Sequence, residues 1–112
     1  MTIYGIRNCN KIRDTLAWME RHEVEHTFVD LKKTPLTRDE LTGIADRTGL
    51  DALVNRRGMT WRRLGLSGRE LSPHELTDLL LENQSMIVRP LIVTPDRIQI
   101  GYDEDAFQAL AE

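Results

Sequence analysis

The first 31 residues leave little choice of fold, because they read as a single short β-α-β unit. Thr2 to Ile6 alternate and are β-branched or aromatic, the pattern of a short strand. The run Arg7-Asn8-Cys9-Asn10 breaks that alternation with residues suited to turns and helix caps. From Lys11 to about Arg21, Ile12, Leu16 and Met19 fall at i, i+4 and i+7, one face of a helix. His26 to Leu31 then reads as a second strand, and a right-handed crossover would leave the two strands parallel. Cys9 therefore falls in the strand-to-helix loop, close to the helix N-terminus.

The middle of the chain is helical in pattern. Thr37-Arg-Asp-Glu40 is a capping box, with Leu41, Ile44 and Ala45 at core spacing and Gly49 as a stop. Ser72-Pro73-His74-Glu75 is a second capping box, with proline at the first helical position, where its missing N–H costs nothing. Leu76, Leu79, Leu80 and Met86 continue that helix and its exit, while Leu53 to Leu66 reads as short helices and turns. Strands return at Leu91 to Thr94 and Ile98 to Gly101; the three-residue turn between them favours an antiparallel hairpin. Asp103 caps a final helix through Phe107 and Leu110. The order is β-α-β, a helical block over about 36–86, then β-β-α, within one domain spanning 1–112.

Composition narrows the function classes. With 40% hydrophobic and 29% charged residues the chain is an ordinary folded protein. A formal net charge of −3 lacks the basic footprint of a nucleic-acid binder. No apolar run approaches the roughly 18 residues of a membrane span, and the opening Met-Thr-Ile-Tyr-Gly is no signal peptide, so a cytoplasmic protein is expected. The single cysteine excludes an internal disulfide and a multi-thiolate zinc site, leaving only a mixed or intermolecular disulfide.

A lone cysteine is more often a small buried apolar residue. Here it stands between Asn8 and Asn10 at a helix start, where unpaired amides and the helix dipole stabilise a thiolate. Arg7, Lys11 and Arg13 add positive charge nearby. Arg89-Pro90 precedes an apolar strand; read alone, it is an ordinary trans proline at a strand start. Asn55-Arg56-Arg57-Gly58 offers guanidinium groups suited to carboxylates or oxyanions, whereas Arg62 and Arg63 read as a solvated basic face. His22, His26 and His74 lie apart, so Cys9 has no evident histidine base and no metal site is expected.

Taken together, Ile3-Tyr4-Gly5-Ile6-Arg7-Asn8-Cys9, Asn55-Arg56-Arg57-Gly58-Met59-Thr60-Trp61-Arg62-Arg63-Leu64 and Ile87-Val88-Arg89-Pro90-Leu91-Ile92-Val93 resemble the ArsC/Spx arsenate reductase-like family, closest to its YffB-type bacterial branch. The resemblance spans essentially the whole chain. It implies an α/β thioredoxin-like fold, a four-stranded mixed sheet with a helical insertion. It also implies that Cys9 is the nucleophile and that Arg89 precedes a cis proline, Pro90, facing it. Arg57, with Arg56 as the alternative register, would be a further basic residue of the pocket. Catalysis would then fall to Cys9 and Arg89, and binding of substrate or glutathione to Asn8, Arg57, Arg89 and Pro90. Two departures thin the oxyanion site. Tyr102 stands where the glutathione-dependent arsenate reductases carry a third arginine, and Asn10-Lys11-Ile12-Arg13 replaces their Gly-Thr-Ser-Arg run. Ile12 also takes the place of the second cysteine in the Cys-x-x-Cys switch of the Spx branch.

These readings lead to a glutathione-linked thiol oxidoreductase with no bound cofactor, glutathione as co-substrate, and a small thiol or oxyanion as the other partner. The rival expectations are a non-catalytic Spx-like regulator that docks on RNA polymerase and a weak arsenate reductase.

Overall fold

A computed structural model describes residues 1–112. In chain order the elements are β1 (Thr2–Gly5), α1 (Asn10–Arg21), β2 (Thr27–Asp30), α2 (Arg38–Thr48), α3 (Met59–Arg63), α4 (Pro73–Glu82), β3 (Leu91–Val93), β4 (Ile98–Ile100) and α5 (Glu104–Ala111). Short 3₁₀ turns occupy Asp51–Leu53 and Gln84–Met86. The chain divides into two compact units, Met1–Thr34 with Arg89–Glu112, and Pro35–Val88.

The first unit holds a four-stranded sheet in the order β2-β1-β3-β4. β1 and β2 run parallel, with Ile3 opposite Phe28, while β3 runs antiparallel to both β1 and β4. The sheet is therefore mixed, and the β3–β4 hairpin is antiparallel as its short turn requires. Side chains alternate between sheet faces, so Ile3 and its partner Ile92 project together. They bury against Trp18 and Met19 of α1 and Phe107 of α5. Trp18 meets Phe107 edge-on at 5.6 Å, and Tyr102 meets it at 5.1 Å, arrangements that aromatic quadrupoles favour.

The buried face of α1 is Ile12, Thr15, Trp18 and Met19, with Leu16 half-buried at its margin. The apolar spacing anticipates Ile12 and Met19 but not Trp18, whose large ring reaches Phe107 from the next column of the helix. Thr15 is fully buried, and its hydroxyl is satisfied by donating to the Lys11 carbonyl at 2.6 Å.

The second unit is helical. Both capping boxes form, Thr37 with Glu40 on α2 and Ser72 with Glu75 on α4, and Pro73 opens α4. Gly49 ends α2 at φ 85°, a conformation that favours glycine. Arg38 of α2 pairs with Asp78 of α4. The Gln84 side chain takes both the amide and the carbonyl of Leu36, each at 2.8 Å. Val54 bridges Ile87, so the end of the unit is stitched to its middle. Met86, fully buried, lies in the 3₁₀ turn after α4 rather than on the helix itself. No helix is long and apolar enough to cross a membrane.

Candidate functional site

β1 stops at Gly5, and the chain turns at once. The Cys9 amide donates to the Ile6 carbonyl at 3.1 Å, closing a tight turn whose corner residues, Arg7 and Asn8, are exposed. Cys9 is extended, at φ −95° and ψ 132°, and its carbonyl accepts the Arg13 amide at 3.0 Å as the first bond of α1. It is thus the N-cap residue itself, and its half-buried sulfur faces the open end of the helix.

Partial burial pushes the thiol up, but the groups around it more than offset this. The amides of Ile12 and Lys11 and the Arg89 guanidinium, by hydrogen bond and by charge, bring the thiol below its ordinary value. No amide is aligned as a conventional capping hydrogen bond. The N–H dipoles nonetheless lie close enough to favour a negative sulfur, which is the larger and more diffuse acceptor once ionised.

The cation at the sulfur comes from across the sheet, not from the flanking residues. Arg7 lies over the Phe28 ring at 4.9 Å, so its charge is directed to β2. Lys11 and Arg13 are exposed on the outer face of α1. Arg89 arrives because Tyr4 pairs with Leu91 in the antiparallel β1–β3 ladder. That register carries the residues before β3 past the end of β1, where the Cys9 turn begins. The Arg89-Pro90 bond is cis, as the resemblance implies rather than as the bare dipeptide suggests. Cys9, Asn8, Arg89 and Pro90 therefore belong to one unit. The helix-start amides that the sequence leads one to expect beside Cys9 are those of Lys11 and Ile12.

Arg57 lies in the second unit and is exposed. There the two adjacent arginines differ. The Arg56 guanidinium is held by the Asp51 carboxylate at 2.9 Å and lies over the Trp61 ring at 5.2 Å. Arg57 is fixed through its backbone, its amide donating to Asn55 Oδ1 at 3.2 Å and its carbonyl accepting from Arg62 at 3.1 Å. Arg56 is thus engaged within its own unit, whereas the Arg57 contacts run through its backbone. Tyr102 donates its hydroxyl to Glu104 at 2.9 Å, and that carboxylate raises the phenol above its ordinary value. It anchors the start of α5 and supplies no positive charge.

A mixed four-stranded sheet with a thiol at the first helix start and an Arg-cis-Pro step beside it defines a thioredoxin-like protein. The chain belongs to the ArsC family, whose pattern matches residues 4–110. The global transcriptional regulator Spx of Streptococcus pyogenes is 33% identical over 111 residues, covering 97% of this chain and 83% of Spx. The solved structure of a YffB protein superposes with a TM-score of 0.90 at 28% identity, covering 99% of this chain and 98% of that one. An arsenate reductase (ArsC) related protein from Brucella melitensis superposes with a TM-score of 0.79 at 29% identity, over 96% of this chain and 91% of that one.

Proposed function

We propose that the protein is a glutathione-dependent thiol-disulfide oxidoreductase working in a reducing cytoplasm, with Cys9 as its nucleophile. The observation that carries this reading is the placement of Cys9 at the N-cap of α1, with the Ile12 and Lys11 amides and the Arg89 guanidinium favouring its thiolate. The Cys9 thiolate attacks one sulfur of a disulfide, the bond between the two substrate sulfurs breaks, and the departing sulfur leaves as a thiolate. With no second cysteine in the chain, the mixed disulfide on Cys9 is resolved by an external thiol such as glutathione. That thiol becomes oxidised as Cys9 is returned reduced. Arg89 holds the reactive thiolate. Asn8 and Pro90 lie next to Cys9 and Arg89 in the chain and border the bound peptide; by the family resemblance Arg57 holds a glutathione carboxylate.

Intact-mass measurement after incubation with oxidised glutathione tests the proposal. A gain of one glutathionyl group, absent in Cys9→Ser and reversed by reduced glutathione, is expected. An unmodified wild-type chain under conditions that modify a free cysteine peptide overturns it.

The similarity to Spx over nearly the whole chain favours one second reading, a regulator that binds RNA polymerase. Sedimentation with purified polymerase separates the two, since co-sedimentation unchanged by Cys9→Ser favours the regulator. Arsenate reduction is the weakest reading, because Tyr102 replaces the third arginine. It predicts arsenate-dependent oxidation of glutathione.

A further inference from the structure

We propose that Gly5 is a positioning residue for the thiolate: its bare Cα seats the Ile12 side chain, and that seat holds the first turn of α1 against the Cys9 sulfur. The inference rests on Cys9 being the nucleophile and deepens that reading.

Gly5 is the last residue of β1 and shares a sheet face with Ile3, the face that α1 covers. It is not among the glycines with positive φ, so backbone conformation does not require glycine here. Space does. A methyl group at Gly5 would lie 2.1 Å from Ile12 Cδ1 and 2.6 Å from Ile12 Cγ1. The Cδ1 atom alone could swing aside. Cγ1 is one bond from the branched Cβ, whose torsion is nearly fixed in a helix, and Ile12 is fully buried.

The strand cannot yield either. Gly5 pairs with Asp30 in the ladder, and its carbonyl accepts the Leu31 amide at 2.8 Å. A side chain at position 5 is therefore relieved mainly by moving Ile12. The same residue presents its amide to the Cys9 sulfur, so seat and amide are joined through one Cα. Ile12 also stands where the resemblance puts the second cysteine of a Cys-x-x-Cys switch. In this chain that position holds the turn in place instead of resolving a disulfide.

The experiment is the rate of Cys9 alkylation by iodoacetamide against pH, with thermal melting, for wild type, Gly5→Ala and Gly5→Ala/Ile12→Val. We expect Gly5→Ala to alkylate about threefold more slowly near neutral pH, with its midpoint moved up and its alkaline plateau unchanged, because only the thiolate reacts. The double variant, which removes the atom in closest conflict but keeps Cγ1, should recover part of that loss and not all of it. A purely structural glycine would lower the melting temperature and leave the pH profile where it is, and that result overturns the inference. So does a double variant with no recovery. Should Gly5→Ala fail to fold, the profile of the double variant decides: the remaining Cγ1 contact predicts a midpoint above wild type, and an unmoved midpoint sinks the idea. A wild-type midpoint at the ordinary free-thiol value is a different failure, because it removes the activated nucleophile itself.

Discussion

Helices α2 and α4 start with an oxygen on their amides, whereas α1 starts with a sulfur. Thr37 and Ser72 each accept a backbone N–H and receive a reciprocal bond from Glu40 and Glu75. Asp103 caps α5 through Ala106. Cys9 occupies the same structural position on α1 without an aligned capping bond, and the first turn of α1 carries no acidic residue. Where the end of a helix serves stability, its amides are satisfied inside the fold. At Cys9 they remain available to a charge that appears only when the thiol ionises. The same local position thus carries an oxygen on α2, α4 and α5 and, on α1, a sulfur whose ionised form the amides favour.

The sharpest way to break this comparison is to make α1 resemble α2. Cys9→Ser should abolish glutathionylation and alkylation at this position while melting no lower than wild type, since serine is a favoured N-cap. A substantially lower melting temperature would mean that the sulfur is chiefly a packing group. Next comes the cation. Arg89→Gln removes a charged donor from a half-exposed sulfur and should slow alkylation at neutral pH about three- to tenfold, charge-assisted bonds being the stronger class but screened by solvent here. A profile overlying that of wild type would assign the activation to the helix amides alone. At the oxygen-capped ends the expected effect is on stability only. Ser72→Ala should cost about 1 kcal/mol in urea unfolding and leave the alkylation profile of Cys9 unmoved.

Local chemistry made much of this legible. Both capping boxes, the Gly49 stop, the hairpin at Pro95-Asp96-Arg97 and the helix beginning beside Cys9 each depend on residues a few positions apart, and each formed. What stayed hidden depends on pairing across the sheet or on volume. Nearness in sequence points to Arg7, Lys11 and Arg13 as the positive charge at the thiolate. The β1–β3 register instead delivers Arg89, which only the family resemblance had associated with Cys9. Trp18 falls outside the apolar spacing because the buried residue one turn before it on the same face is the polar Thr15. The need for glycine at position 5 is a matter of volume, because the crowding it relieves comes from Ile12, seven residues on. The resemblance prefers Arg57 to Arg56 by register alone and does not show that Asp51 and Trp61 engage Arg56.

The smallest expected effect separates sulfur from oxygen caps by pH. A serine or threonine cap does not itself titrate, and Glu75, held low by Ser72, stays ionised above the carboxylate range, so the contribution is level from neutral pH upward. The Cys9 thiol is lower in the folded chain than in the unfolded one: burial opposes ionisation, but the Ile12 and Lys11 amides and Arg89 outweigh it. For an acid group depressed by folding, the added stability is fully present above the unfolded value, about 8.5 for a free thiol. It declines as pH falls toward the folded value and vanishes below it. Urea unfolding of wild type and Cys9→Ala should therefore diverge on the alkaline side, with wild type gaining, and converge toward acid pH. The same pair of measurements on Ser72→Ala should show a gap that does not change over this range. A Cys9→Ala gap equally level with pH would mean that α1 ends as α2 and α4 do, with its amides already satisfied and nothing reserved for a thiolate.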